Sequence, residues 1–268
     1  MDNLTTLMAA LRQDLHDEDA SNYRWTDAHL ERHIRRALQD YSRAAPCELY
    51  ADIATVSDSR DISLSSLDEL VKVFAVEWPI GNWPPAYLRF SLWGDTLTMD
   101  SISAGDTTDA RIFYGRLHQV WQEWEASTAY ALGDMVVPST HNGYAYECTV
   151  AGTSDSSEPS WPTTVGNTVA DNSVTWTCRA YYPAPERHAD LLLLGASGFA
   201  LVEWANYAIN RTNVGGVNAD TDYAREGERR LADFRKELRS IGHKSRVRQR
   251  RLYSPATPPV SKSRVEGP

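Results

Sequence analysis

The chain has 268 residues, 42% hydrophobic and 24% charged, which is enough for a real core in one large domain or two modest ones. It holds no uninterrupted apolar run of about eighteen residues, so the pattern excludes a membrane-spanning helix. Residues 1–19 have neither a basic start nor an apolar centre and do not read as a signal peptide. The net charge of −9 is unevenly spread: from Arg225 onward thirteen Lys and Arg stand against five Asp and Glu, a balance of +8 that leaves −17 for the rest. The split fits either a body that repels nucleic acid with a basic end that seeks an acidic surface, or an acidic domain that merely ends in a basic helix, and composition alone does not separate the two.

Leu4, Leu7, Met8, Leu11 and Leu15 recur at helical spacing and predict a first amphipathic helix. Residues 14–22 are polar and read as a loop. Thr26 is placed as the N-cap of a second helix, with Trp25 and Leu30 in staple positions. Leu30, Ile34, Ala37, Leu38 and Tyr41 continue its apolar face, and Pro46 stops it. From Leu49 the period shortens. Ile53 with Val56, Ile62 with Leu64, residues 70–78, 87–92, Leu97 with Met99, and 110–114 read as short strands between polar or Pro/Gly turns.

Residues 121–182 differ from what surrounds them. They hold Trp121, Trp124, Trp161, Trp176, five tyrosines and two of the three cysteines, with no Lys and a single Arg, Arg179. Asn142-Gly143 lies between two strand-like runs, a strong hairpin signal, and Val174, Trp176 and Cys178 alternate as a last strand. This stretch reads as a small β module inserted into a host. Cys47, Cys148 and Cys178 form no CxxC pair and so give no zinc spacing; they read as reduced thiols. Helical periodicity returns from Glu186 to about Asn210 with a wide apolar face, which predicts the most buried helix. Residues 213–222 read as a Gly-rich loop. Leu231, Phe234, Leu238 and Ile241 mark a final helix with Gly242 as its C-cap. Residues 254–268 are rich in Pro and Ser and lack core-forming content.

Reactive constellations are sparse. No nucleophile elbow, phosphate loop or HExxH spacing occurs. His29 and His33 are four apart on one helix face, but no carboxylate at a known spacing joins them as a metal site. Asp17, Glu18 and Asp19 read as a solvated turn, lacking the alternation and Gly of a calcium loop. Gly195-Ala196-Ser197-Gly198 reads as close helix packing and not as an activated serine. His118 and His188 are the residues on which a hydrolase would have to be built. No catalytic, metal or cofactor-binding residue is assigned, and no enzyme is expected. The basic stretch Lys244, Arg246, Arg248, Arg250 and Arg251, followed by Leu252 and Tyr253, is the candidate docking segment.

Arg24-Trp25-Thr26-Asp27-Ala28-His29-Leu30, Ala37-Leu38-Gln39-Asp40-Tyr41-Ser42, Glu77-Trp78-Pro79-Ile80-Gly81, Ile112-Phe113-Tyr114-Gly115-Arg116-Leu117-His118 and the segment beginning Glu186-Arg187-His188-Ala189-Asp190-Leu191 follow one another in an order that resembles the head–tail adaptor (connector) proteins of tailed bacteriophages. The resemblance covers residues 1–120 and 181–250. It implies a mainly helical adaptor domain with short strands; together with the inserted small all-β domain at 121–180, carbohydrate-binding-like or Ig-like, and an extended tail, 251–268, the expected fold class is α+β. The resemblance also implies a homo-oligomeric ring of about twelve subunits at the head–tail junction of the virion, assembled in the host cytoplasm. The ring would bind the portal protein above and a tail-completion, stopper or tail tube protein below, extending the DNA channel without reading sequence. The basic tail would dock on the portal.

Within the insert, Trp124-Glu125-Ala126-Ser127-Thr128-Ala129-Tyr130, Gly133-Asp134-Met135-Val136, Asn142-Gly143-Tyr144-Ala145-Tyr146, Glu158-Pro159 and Trp176 resemble small chitin-binding-type carbohydrate modules. This supplies the alternative expectation, a carbohydrate- or protein-binding virion module with Trp161, Tyr144 and Trp121 as candidate contacts. Where such modules carry an adjacent aromatic pair after the Tyr146 strand, this chain has Cys148-Thr149-Val150-Ala151. Trp124, Tyr130, Tyr146 and Trp176 are therefore expected in the insert's core, with Trp161 as the most exposed ring.

Overall fold

The computed structural model describes residues 3–100, 108–208 and 219–244. The chain divides into two compact units. Among the described residues, one comprises those within Met1–Cys47 and Leu117–Arg239, the other those of Glu48–Arg116 with the last residues of the final helix from Ser240.

The first two helices follow the sequence pattern closely at their N-termini. α1 (Leu4–Asp14) is capped by Asn3, whose Oδ1 accepts from Thr6 N at 2.7 Å. α2 (Asp27–Ala44) is capped by Thr26, which accepts from His29 N. Leu4, Leu7 and Leu11 of α1 and Leu30, Ile34 and Leu38 of α2 are buried, as apolar positions three or four apart require. α3 (Ala189–Ala208) follows a single 3-10 turn and packs on both α1 and α2. It is buried continuously from Gly195 to Leu201. α4 (Ala219–Lys244) lies against α3 where side chains vanish: a Cβ on Gly195 would meet Phe234 at 2.9 Å, and one on Gly227 would meet Val202 Cγ2 at 2.8 Å and Gly198 O at 3.0 Å. The run of small residues at 195–198 thus serves close packing, and Ser197 donates to Leu194 O within its own helix.

The second unit holds β1 (Cys47–Ile53), β2 (Asp61–Ser63), β3 (Leu70–Glu77), β4 (Tyr87–Leu88), β5 (Phe90–Trp93), β6 (Thr96–Met99) and β7 (Ala110–Arg116). They form a four-stranded sheet in the order β1-β7-β3-β4 and a three-stranded sheet β2-β6-β5. Val76, Trp78, Leu97, Met99 and Ile112 lie in one core. β5 and β6 are joined by the two residues Gly94 and Asp95, with Gly94 at φ +54, a conformation that favours glycine.

The insert belongs to the first unit. β8 (Gln122–Glu123), β10 (Met135–Val137), β11 (Tyr144–Val150), β13 (Thr168–Asp171) and β14 (Val174–Ala180) form a sheet in the order β13-β14-β11-β10-β8, and β9 (Ala129–Tyr130) pairs with β12 (Gly152–Thr153). The Asn142-Gly143 turn does separate two antiparallel strands, with Val136 opposite Tyr146. The connection runs over residues 138–143, so it is longer than a two-residue hairpin.

Three expectations are corrected. The chain is not mainly helical: the sheets make up most of the body, because residues 48–116 and the insert both form sheets and only four α-helices stand beside them among the described residues. Gly242 does not cap α4, which continues through it to Lys244, and α4 already begins at Ala219, inside the expected loop. Asp17 is not solvated. It is buried against Arg12 at 2.9 Å and accepts from the backbone of Arg24 and Trp25, because the loop after α1 folds back over a buried guanidinium.

Candidate functional site

The insert's two ends are stitched at its base. Gln119 N donates to Tyr182 O at 2.8 Å, and Gln119 bridges Pro183. His118, just before this bridge, has Nε2 3.0 Å from Ala45 O at the end of α2 and Nδ1 3.1 Å from Pro183 O. Its backbone N–H donates to Ser42 Oγ, which itself donates to Leu38 O. Tyr41 sits between His118 and His188, with ring centroids at 5.3 and 5.4 Å, and its hydroxyl is 2.6 Å from His188 Nδ1. Burial pulls both histidines below their usual pKa. The carbonyls of Ala45, Pro183 and Tyr182 oppose this at His118; Arg187 and His118 add to it at His188. Burial likewise pushes the Tyr41 phenol up. The two histidines of the hydrolase reading are thus brought together, but their ring contacts go to backbone carbonyls and Tyr41, which tie α2 and the 3-10 turn before α3 to the foot of the insert.

The insert is fastened at its first strand as well. Leu4 N donates to Trp121 O at 2.7 Å, Asn3 Nδ2 donates to Glu123 Oε2 at 2.9 Å, and the Arg35 guanidinium lies 5.0 Å over the Trp121 ring. Trp121 Nε1 is buried without a hydrogen-bond partner. In the core, Trp124, Tyr146 and Trp176 are buried with the free thiols Cys148 and Cys178, while Tyr130 and Tyr144 are half-buried around them. Asp171 joins the two indoles: its Oδ2 accepts from Trp124 Nε1 at 2.8 Å and from Trp176 Nε1 at 2.9 Å. Sequence reasoning missed Asp171, because nothing local shows that two tryptophans 47 and 5 residues away will converge on it.

Trp161 is half-buried. Its ring lies 4.2 Å from that of Tyr146 and 6.0 Å from that of Trp176. Its Nε1 donates to Glu158 Oε1 at 2.7 Å, and Glu158 is also held by the backbone and hydroxyl of Ser139. Burial alone would raise the Glu158 pKa, but these bonds bring it below the usual carboxylate value. Burial pushes Tyr146 up to about 12. The candidate contacts Trp161, Tyr144 and Trp121 are thus all half-buried, Trp161 and Tyr144 against the core of Trp124, Tyr146 and Trp176 and Trp121 against Val137, Ala145 and Tyr181.

A cleft of about 350 Å³ opens between the loop before α2 and the end of α3. Tyr23, Trp25, Trp204 and Tyr207 line it together with Arg24, His29 and Glu203. Trp25 is buried, Trp204 stands 5.4 Å from it at 55°, and Tyr207 lies 5.2 Å from Trp204 and is 51% exposed. Tyr23 lies beneath the Arg12 guanidinium at 3.5 Å, and Arg24 donates to Tyr223 of α4. Trp25 Nε1 is buried without a partner. Nothing in the local sequence marked this cleft, since its walls lie about 180 residues apart in the chain.

His33 and His29 do not form a pair. His29 is exposed, whereas His33 is buried with Nε2 2.5 Å from Glu203 Oε2 of α3, and Arg32 also binds Glu203. Burial lowers the His33 pKa against the opposing pull of Glu203. Burial would raise that of Glu203, but Arg32 and His33 hold it below the usual value. Among the described residues no group of three or more His, Cys, Asp or Glu gathers as a metal site, and no helix is long and apolar enough to cross a membrane. Arg246, Arg248, Arg250, Arg251, Leu252 and Tyr253 lie outside the described residues, as does the side chain of Lys244. No protein-family model matches the chain, and no curated protein matches it.

Proposed function

We propose that the chain is a structural virion component, a non-enzymatic head–tail adaptor that forms a ring between portal and tail proteins around the DNA channel. One observation carries this reading: the β insert is built into the helical unit. The backbone bond from Leu4 to Trp121 and the side-chain bond from Asn3 to Glu123 tie it to α1, and at its foot His118 contacts Ser42 and Ala45 of α2 and its end, with Tyr41 linking on to His188 in the 3-10 turn before α3. Groups that could do chemistry are used to join elements, as a load-transmitting part requires. The charge split supports the same reading. A body of −17 lets DNA slide past without gripping it, and a basic end suits an acidic neighbouring subunit, with specificity as its first effect. Repetition around a ring would turn modest contacts into lasting assembly.

Electron microscopy of the purified protein with its portal tests this. Rotationally symmetric rings of about twelve copies are expected from the resemblance; a discrete monomer with catalytic turnover would sink the reading. Deleting residues 246–268 should abolish portal docking, and unchanged docking would discard the anchoring role of the tail.

One observation favours a second role for the insert. Trp161 is partly exposed yet locked by Glu158 and Tyr146, and a fixed ring is a better platform for an apolar sugar face than a mobile one. Binding on a glycan array that disappears in Trp161→Ala would establish it; silence across the array would leave the insert a purely structural part.

A further inference from the structure

The cleft between the loop before α2 and the end of α3 combines fixed rings with polar groups of balanced charge. All its lining residues belong to the helical unit. Trp25 and Trp204 lie 5.4 Å apart, and Tyr207 packs on Trp204 at 5.2 Å and 36°. The Arg12 guanidinium covers Tyr23 at 3.5 Å, yet Tyr23 stays 44% exposed. Tyr23 and Tyr207 are therefore held in place with ring surface open to solvent. The same lining carries one cation, Arg24, one anion, Glu203, and the amide of Asn22. Arg24 is oriented by its bond to Tyr223, and Glu203 by Arg32 and by His33 at 2.5 Å. Trp25 is 1% exposed, and its Nε1 has no hydrogen-bond partner. An unpaired buried donor costs free energy that an acceptor on a ligand would recover.

We propose that this cleft binds a neutral mono- or disaccharide. Its volume of about 350 Å³ lies near the lower end of ligand clefts and suits a ligand of that size. The polar lining decides the class. An apolar ligand would bury Arg24, Glu203 and the Trp25 N–H without partners. An anion would meet the carboxylate of Glu203, and a cation the guanidinium of Arg24, each a like charge at close quarters. A neutral polyhydroxyl ring avoids both. Each hydroxyl donates and accepts, so it can donate to Glu203 or Asn22 Oδ1 and accept from Trp25 Nε1, Arg24 or Asn22 Nδ2. The C–H face of a pyranose suits the electron-rich face of Tyr23 or Tyr207. Rings that are already fixed lose little freedom on binding. The site shares no residue with the Trp161 cluster of the insert and does not depend on ring assembly.

The test titrates the full chain with glucose, cellobiose, maltose, lactose and diacetylchitobiose, followed by saturation-transfer NMR. Glucuronate and glucosamine, which add a charge to glucose, serve as comparators. Saturable binding of at least one neutral sugar is expected, with both charged sugars weaker than glucose. Affinity should fall at least about tenfold, roughly 1.4 kcal/mol, in Tyr207→Ala and in Asn22→Ala, and stay level in Trp161→Ala. Tyr207 is half exposed and Asn22 lies in an exposed loop, so unchanged circular dichroism is expected of both variants. Absence of saturable binding by every neutral sugar, or undiminished binding in either cleft variant, overturns the cleft assignment even if electron microscopy shows rings. Binding lost in Trp161→Ala but kept in Tyr207→Ala belongs to the insert and likewise overturns it. Tighter binding of either charged sugar than of glucose overturns the neutral class.

Discussion

The insert and the second unit are both small β structures rich in aromatic residues, yet they place those residues in opposite ways. The insert turns its indoles inward: Trp124 and Trp176 are buried and share Asp171. The second unit buries Trp78 but leaves Trp83 at 78% and Trp93 at 80% exposure, with Tyr87 and Leu92 also exposed. A small sheet with little aliphatic content can build a core only from large rings, and each ring N–H taken inside needs an acceptor. The second unit fills its core with Ile62, Leu64, Val76, Leu97 and Ile112 and so leaves two tryptophans at the surface. Aromatic content therefore says little about exposure until the aliphatic supply of the same element is counted.

The largest effect should come from Asp171→Ala. It strands two buried indole donors and the backbone N–H of Asp155, at about 1–3 kcal/mol for each buried donor. A loss of roughly 3–5 kcal/mol is expected by chemical denaturation, with the insert losing its tryptophan fluorescence signature; a loss below about 1 kcal/mol would show that the indoles do not depend on this carboxylate. Next, Gly227→Ala should cost about 1–3 kcal/mol despite alanine's better helix propensity, because backbone atoms of Gly198 and Val202 stand in the way of the new methyl. A neutral or raised Tm would mean α3 and α4 can separate freely.

Acid should then weaken the helical unit. His33, His118 and His188 have folded pKa values below the usual 6.5, mainly from burial. The folded state therefore holds fewer protons than the unfolded chain. Their contribution is present above about pH 6.5 and is lost as pH falls through the folded values. Glu203, also depressed, adds a further loss below the usual carboxylate range near 4.5. A Tm that stays level or rises between pH 7 and 5 would contradict this. The smallest effect is expected for Trp93→Ser, within about 0.5 kcal/mol, since surface substitutions away from packing rarely do more. A fall of several degrees in Tm would show that the second unit relies on this ring as the insert relies on its own.

Local pattern was enough for much of this. Apolar spacing marked α1 and α2, Thr26 marked a cap, the 195–198 run marked close packing, and the alternation at Val174, Trp176 and Cys178 marked β14 with all three buried. These features depend on neighbours within a turn or a strand. Gly242 misled because a glycine ends a helix only when the following chain turns away, and here the helix simply runs through it. The balance of helix and sheet misled because the resemblance weighed the helical segments above the short strands.

By itself the sequence determined where α1 and α2 start, that the aromatic stretch 121–182 forms strands with Trp124, Tyr146 and Trp176 in a core, and how charge divides before and after Arg225. These are properties of periodicity and composition. Only the tertiary structure decided that Glu203 meets His33, that Arg12 is enclosed with Asp17, that Asp171 joins two indoles, and that Trp25 and Trp204 open an aromatic cleft. Each of these brings together groups whose separation in the chain carries no local signal, and burial in a shared core is what selects the partner.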